Sequence, residues 1–473
     1  KPYRNNVWSG EYSEWTQIKP PFGSYPLGWY NPSYMLEWHR FCQNSVNDFV
    51  RFQTELIRDI IPGSCYNDKI PGFVKILPDF YSMFEPLDFV SYDNYPPVKL
   101  PDDPDTLYSH SFHLDLMRGI KQKNFWIMEQ LSGPQGCWMP MTTVPKPGMI
   151  KGYALQAIAR GADAVIHFRW RSAVSGAEMF WHGLIDQSGV PSRRFFEFSE
   201  LCREAAAIDT EGTSVSSKAA LLYSSDTESA LKIQPQTDGF HYYSQLKAFH
   251  DGVTSLGANC DIISESSDLS AYSVIIAPTM FITDISVVQR LYSFAEKGGT
   301  VVLTNRSGVK DENNNCIMSP LPSVYTELAG CTVEEYDPVG WDTAHIAMNG
   351  REYEVTSWCD ILKAGDAEVI AEYTDRFYKG SPAVTVNSFG KGRCYYVGTV
   401  GKRSFYKDLC IEILSSAGVD HIPDLPDNVE ISVRQGAGKK LTFIFNNNDK
   451  AAEFDYCGRH ISLKPFEIEL LKE

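Results

Sequence analysis

Between residues 86 and 170 short apolar runs alternate with helical stretches, and this alternation constrains the fold more than any other feature of the chain. Leu87 to Ser91 reads as a short buried strand, followed by a polar, aromatic loop, YDNYP. A helix is expected over roughly 106–121, then the strand NFWIM (124–128). A second helix is expected over about 148–160, with Ile150, Ala154, Ala157 and Ile158 inward, and then the strand ADAVIHFRW (162–170). Such alternation predicts a parallel sheet. Polar and aromatic residues follow each strand. Both a (β/α)8 barrel and a doubly wound sheet carry their sites at that end, so the pattern alone does not choose between them. Three or four such units precede residue 205, whereas a closed barrel has eight.

The flanking regions have their own patterns. Residues 1–33, rich in Trp, Tyr, Pro and Gly, read as an irregular loop. Asn31, Pro32 and Ser33 announce a helix running to about Ile61, with Phe49, Phe52, Leu56 and Ile60 on one face. After residue 205, strands at Ala219–Tyr223, Ser273–Ala277, Thr300–Leu303 and 393–398 alternate with helices at about 241–256, 286–296 and 402–417. A doubly wound domain is expected there. The segment HIPDLPD (421–427) is a linker, and beyond it Val429, Ile431 and Val433, then Leu441, Phe443 and Phe445, alternate at period two. That pattern predicts a small antiparallel β domain. The expected division is 1–205, 206–420 and 421–473.

Composition excludes some functions. The net charge is −16 with no basic run, which argues against nucleic acid or an anionic membrane as partner. No apolar run is long enough to span a bilayer. The 11 cysteines are scattered, with no zinc-type spacing, and a reducing cytoplasm is the expected location. No dinucleotide or P-loop signature follows a strand of the middle domain, and no Cys follows SVIIA, so that domain reads as structural or interfacial. No metal and no cofactor is expected.

The first region carries the candidate chemistry. Glu129 leaves the NFWIM strand, a placement suited to a nucleophile or an acid/base, or to a loop-to-helix cap. Trp138, on a Gly-rich loop nine residues on, is either a sugar-stacking platform or a ring wedged under the loop. Glu178 and His182 are four apart, so a helical turn would put them on one face, suited to sugar hydroxyls or to solvent. Arg171, directly after Trp170, is suited to bonding the nucleophile or a loop carboxylate, or to a structural ion pair. Tyr92, Asp93, Asn94 and Tyr95 form either a pocket rim or an ordinary turn.

Taken together, NPSYMLEWHRF, PLDFVSYDNYP, FWIMEQLSGP, ARGADAVIHFRWR and GAEMFWHGLID resemble glycoside hydrolase family 42, the modular β-galactosidases. The resemblance covers nearly the whole chain. It implies a (β/α)8 TIM-barrel catalytic domain of which only the second half is present, a flavodoxin-like trimerisation domain and a small antiparallel β-sandwich. It implies that Glu129 is the nucleophile at the end of the seventh barrel strand, that Trp138 stacks on galactose, that Glu178 binds sugar hydroxyls, and that Tyr92 and Asn94 line the pocket. Where many members read E-x-x-H, this chain has Trp181 and then His182, so either Trp181 replaces the sugar-binding His or His182 supplies the imidazole from a shifted position.

The family's acid/base is the Glu of an Asn-Glu pair, and no Asn-Glu dipeptide occurs in these 473 residues. The expectation is therefore an N-terminal half-barrel segment upstream of Lys1 that carries it. A retaining glycosidase needs two carboxyl groups roughly 5–5.5 Å apart, and of these Glu129 supplies one. The expected activity is β-galactoside hydrolysis by a homotrimer acting on a galactoside or oligosaccharide. The alternatives are α-L-arabinopyranosidase activity or a sugar-binding scaffold without turnover.

Overall fold

The computed structural model describes residues 13–21, 30–65, 67, 69, 70, 79–96, 108–137 and 139–473. Most of the expected N-terminal loop, and Trp138, lie outside the described residues.

The first region forms a parallel sheet in chain order: β1 (Lys69–Ile70), β2 (Ser91–Asn94), β3 (Phe125–Leu131) and β4 (Ala162–Phe168). Phe125, Ile127 and Leu131 are buried because β3 lies inside the sheet under helices. The long helix α1 (Pro32–Ile60) precedes β1, and the short α2 (Phe80–Phe84) precedes β2. Between β2 and β3 runs α3 (Ser109–Lys121), between β3 and β4 α4 (Met149–Ala159), and after β4 comes α5 (Arg193–Ala206).

The start of α1 follows its sequence signal. The Asn31 side chain accepts from the amides of Ser33 and Tyr34, and Pro32 occupies the first turn, where no amide proton is needed. The expected inner face of α1 is corrected. Phe49, Phe52, Leu56 and Ile60 are exposed, and Val50 and Thr54 are buried instead. In this half of the helix the stripe that reaches the interior is Asn47, Val50 and Thr54, two of them polar.

Two strand boundaries also move. Tyr92, Asp93 and Asn94 belong to β2 rather than to a loop, with Asp93 paired to Glu129 and Asn94 to Gln130. Glu129 lies within β3, not after it.

The middle region is built on a ten-stranded sheet. Its parallel half runs 260–264, 219–223, 274–277, 300–304, 392–397, the 2-1-3-4-5 order of a flavodoxin-like doubly wound sheet. The antiparallel half was not anticipated. It includes the long hairpin Thr332–Met348 and Arg351–Lys363 and the strands Glu368–Tyr373 and Pro382–Phe389. Pro338, Gly340 and three register shifts break the period-two signal that would have marked the hairpin.

The last region is antiparallel as expected, with strands Val429–Gly436, Lys439–Asn446 and Ile468–Lys472 in one sheet and a separate hairpin over 452–463. Ile431, Ile444, Phe454 and Ile461 form the core between them. The outer face, with Phe443 and Phe445, packs on Ala154 and Leu155 of α4 and Leu201 of α5.

Buried ion pairs join the three regions. Arg160 of α4 sits between Asp115 (2.5 Å) and Glu430 (2.6 Å). Arg118 pairs with Asp115 and with Asp261 of the middle sheet, both at 2.6 Å. Burial pushes the Asp115 carboxyl up, but Arg118 and Arg160 outweigh it and hold it well below the carboxylate range. Removing one partner from such a cluster strands a buried charge.

Candidate active site

The end of the first sheet gathers charge. Lys69, on β1, donates to Glu129 Oε1 and lies 3.0 Å from Asp93 Oδ2, so one ammonium serves two carboxylates on neighbouring strands. The other oxygen of Glu129, Oε2, accepts from the Tyr95 hydroxyl at 2.6 Å. Both oxygens of Glu129 are thereby oriented, while its side chain stays 20% exposed and open to a ligand.

The neighbours of Glu129 respond to this crowding. Burial raises the Asp93 carboxyl to about 6, with the Lys69 hydrogen bond opposing and the Glu129 charge adding to the rise. Burial and the bond to Glu129 raise the Tyr95 hydroxyl, which stays a donor. Burial lowers the Lys69 ammonium, but its bonds to Glu129 and Asp93 outweigh that and raise it overall.

The alternation of β2 sorts its side chains. Asp93 faces the site, whereas Tyr92 stacks on His113 of α3 (ring centroids 6.2 Å apart) and Asn94 bonds His110 of α3. The expectation that Tyr92 and Asn94 line the pocket is therefore corrected, because strand parity turns both toward the helices. Tyr95 and Asp93 take that place.

The segment after β4 is a series of turns rather than a helix, so Glu178 and His182 do not share a helical face. Glu178 is ion-paired to Arg169. Trp181 is buried, and the Tyr95 ring meets it edge-on at 4.9 Å, so it backs the tyrosine that holds Glu129. His182 bonds the Pro134 carbonyl through both its amide and Nδ1, each at 3.2 Å. That contact pins the loop at Pro134, and Gly133 allows it: a Cβ there would lie 3.0 Å from His182 Cβ. Arg171 is corrected as well. It reaches the Gln187 carbonyl (3.3 Å), and Arg169, two residues earlier, takes the carboxylate.

Sequence reasoning missed Lys69 and Arg169 as site residues. Lys69 sits on a two-residue strand without periodicity. Tyr95, read from YDNYP as rim or turn, gains from the structure its bond to Glu129. Among the described residues no group of His, Cys, Asp or Glu is arranged to hold a metal ion, and no helix is long and apolar enough to cross a membrane.

The parallel sheet thus presents an oriented, partly exposed carboxylate, and comparison with known proteins gives the chain a family. Residues 1–208 match the family described as beta-galactosidase, and residues 217–420 match the beta-galactosidase trimerisation domain. The chain is 48% identical over 487 residues to the β-galactosidase BgaA of Clostridium cellulovorans, covering 100% of this chain and 73% of that protein. It is 29% identical over 467 residues to BglY of Alicyclobacillus acidocaldarius, covering 94% of this chain and 66% of that protein. Among solved structures, the β-galactosidase of Bacillus circulans sp. alkalophilus superposes with a TM-score of 0.91 at 26% identity, over 100% of this chain and 73% of that one. The enzyme of Halorubrum lacusprofundi gives 0.91 at 28% identity, with the same coverage. The chain belongs to the glycoside hydrolase family 42 β-galactosidases.

Proposed function

We propose that this chain supplies the nucleophile of a retaining β-galactosidase, and that the nucleophile is Glu129. The observation that carries the assignment is the cradle itself: a partly open carboxylate at a strand end, with one oxygen on Lys69 and the other on Tyr95. In the first step a Glu129 oxygen bonds to the anomeric carbon as the glycosidic C–O bond breaks, and a second carboxyl group gives its proton to the leaving oxygen. Glu129 becomes an uncharged ester, and the Lys69 ammonium keeps Asp93 as its partner. Water, deprotonated by the second carboxyl group, then attacks the anomeric carbon and returns Glu129 to its ionised form.

The acid/base is assigned to a further barrel segment. The absence of an Asn-Glu pair supports this. So do the uncovered apolar surfaces, namely the Phe49 and Phe52 stripe of α1 and the side chains of Trp126 and Ile166 on the sheet. On this reading β1 to β4 are contiguous strands of a (β/α)8 barrel. Trp138 stacks on the sugar, Glu178 accepts from its hydroxyls, and Trp181 supports Tyr95. The doubly wound region at 206–420 forms the homotrimer contact, in keeping with its match to the trimerisation domain. The galactosidase relatives favour a galactoside over an arabinopyranoside substrate.

A dinitrophenyl β-galactoside tests the assignment. Its leaving group departs without a proton, so the first step needs Glu129 alone. The expected result is a stoichiometric burst of dinitrophenolate that Glu129→Gln abolishes, and a weaker burst from the matching α-L-arabinopyranoside. Sugar binding without a burst from the unsubstituted protein would contradict the proposal.

A further inference from the structure

The strand pair that carries Asp93 and Glu129 is weakly fixed by its own ladder. The register between β2 and β3 shifts at Tyr92/Asp93, and between β3 and β4 it shifts again between Ile127 and Gln130. Such an irregularity frees the strand end to rotate and re-aims the side chains beyond it. Lys69 and Tyr95 hold the Glu129 oxygens from the front, and the backbone behind them needs a hold other than the ladder.

On the opposite face, directly after each site residue, stand two fully buried amides, Asn94 and Gln130. The Asn94 Nδ2 amide donates to Gln130 Oε1 and to His110 Nε2, both at 2.8 Å. A ring nitrogen that accepts carries no proton, so the His110 proton sits on Nδ1, where it is donated to Gln156 Oε1 at 2.6 Å. The Gln156 Nε2 amide in turn donates to Glu430 Oε2 at 3.0 Å. Burial lowers the His110 ring to about 3, so it stays neutral with one donor and one acceptor. Every bond runs in the same sense, from β2 through α3 and α4 to a carboxylate of the C-terminal β domain. Glu430 is itself held by Arg160 (2.6 Å), Ser111 and Asn447 (3.1 Å).

We infer that Asn94, His110 and Gln156 are positioning residues for Glu129, and that Glu430 of the C-terminal domain is the anchor of their hydrogen-bonded line. The line locks the rotation of the β2–β3 end from behind, so that the carboxylate in front meets the sugar at a fixed angle. Reactions of this kind lose about a hundredfold when the reacting atoms are misplaced by an ångström. The inference gives the C-terminal domain a part in catalysis, although it contributes no group to the site, and it rests on Glu129 being the nucleophile.

His110→Phe keeps the ring, which packs edge-on against Tyr153, and removes both nitrogens. His110→Gln restores an acceptor near the Nε2 position. The measured quantity is the rate constant of the dinitrophenyl β-galactoside burst, together with its half-saturating concentration and the melting temperature. His110→Phe should slow the burst about tenfold or more with little change in half-saturation, and His110→Gln should recover most of the rate. Gln156→Leu should resemble His110→Phe, and the double variant should be hardly slower than either single one, because both break the same line. Unchanged burst rates in His110→Phe, with only the melting temperature lowered, would overturn the inference, as would equal rates for Phe and Gln at position 110. A burst that survives in Glu129→Gln would instead overturn the nucleophile assignment, so the two failures are distinguishable.

Discussion

The first sheet and the parallel half of the middle sheet share an architecture and differ at one end. In the first sheet the strands carry Lys69, Asp93 and Glu129 side by side, and the Lys69 and Glu129 side chains remain in reach of solvent. In the middle sheet the same ends are filled. Thr279, Met280 and Asn305 are fully buried, and Arg306 is covered by Trp358 at 4.6 Å and Tyr336 at 5.0 Å while bonding Gln236. A βα sheet offers a site at its carboxyl ends, and whether it becomes one depends on whether charge is left accessible there. In the middle region the antiparallel hairpin brings Trp358 and Tyr336 over that end and closes it.

Substitutions sharpen this contrast. Glu129→Gln should lower the burst rate by roughly 10³-fold or more while the protein remains folded by circular dichroism, because no other group forms the bond to carbon. Tyr95→Phe removes one of the two contacts that aim the carboxylate and should cost about tenfold in burst rate, measured by stopped flow.

Asp93 connects the contrast to pH. Its carboxyl titrates near about 6, and once protonated it releases Lys69 wholly to Glu129. The burst rate should therefore fall as pH drops through that value, and Asp93→Asn should abolish this limb. Because the folded state holds the Asp93 proton more tightly than the unfolded one, the associated stability is present at low pH and lost as pH rises through about 6. Asp93→Asn should then be relatively more stable above that value, as read by urea unfolding. The smallest effect on catalysis is expected in the other sheet. Arg306→Ala should leave the burst untouched and destabilise the protein by about 1–2 kcal/mol through lost cation–π contact. A slowed burst in that variant would break the contrast between the two sheets.

The parts of this fold legible in the sequence are those with an unbroken period. The apolar runs at 125–128, 219–223, 274–277 and 300–303 announce their strands, and Asn31-Pro32 announces a helix start. Glu129 was legible because a carboxylate at an apolar strand end is unusual. Tyr92 and Asn94 read as loop residues because the apolar run stops at Ser91, whereas β2 continues through Asn94 and turns both toward α3. Lys69 was hidden because a strand of two residues has no period. The hydrogen-bonded line to Glu430 was out of reach for another reason. It joins residues more than 300 positions apart, and nothing local to His110 or Glu430 names the other.

The most direct test of the nucleophile is covalent trapping. A dinitrophenyl galactoside bearing fluorine at C2 should form the sugar ester and hydrolyse it slowly, leaving the adduct for peptide mass spectrometry. The account predicts one labelled carboxylate, that of Glu129 within FWIMEQL. A label on Asp93 or Glu178, or turnover of the parent galactoside with no label on Glu129, would contradict it.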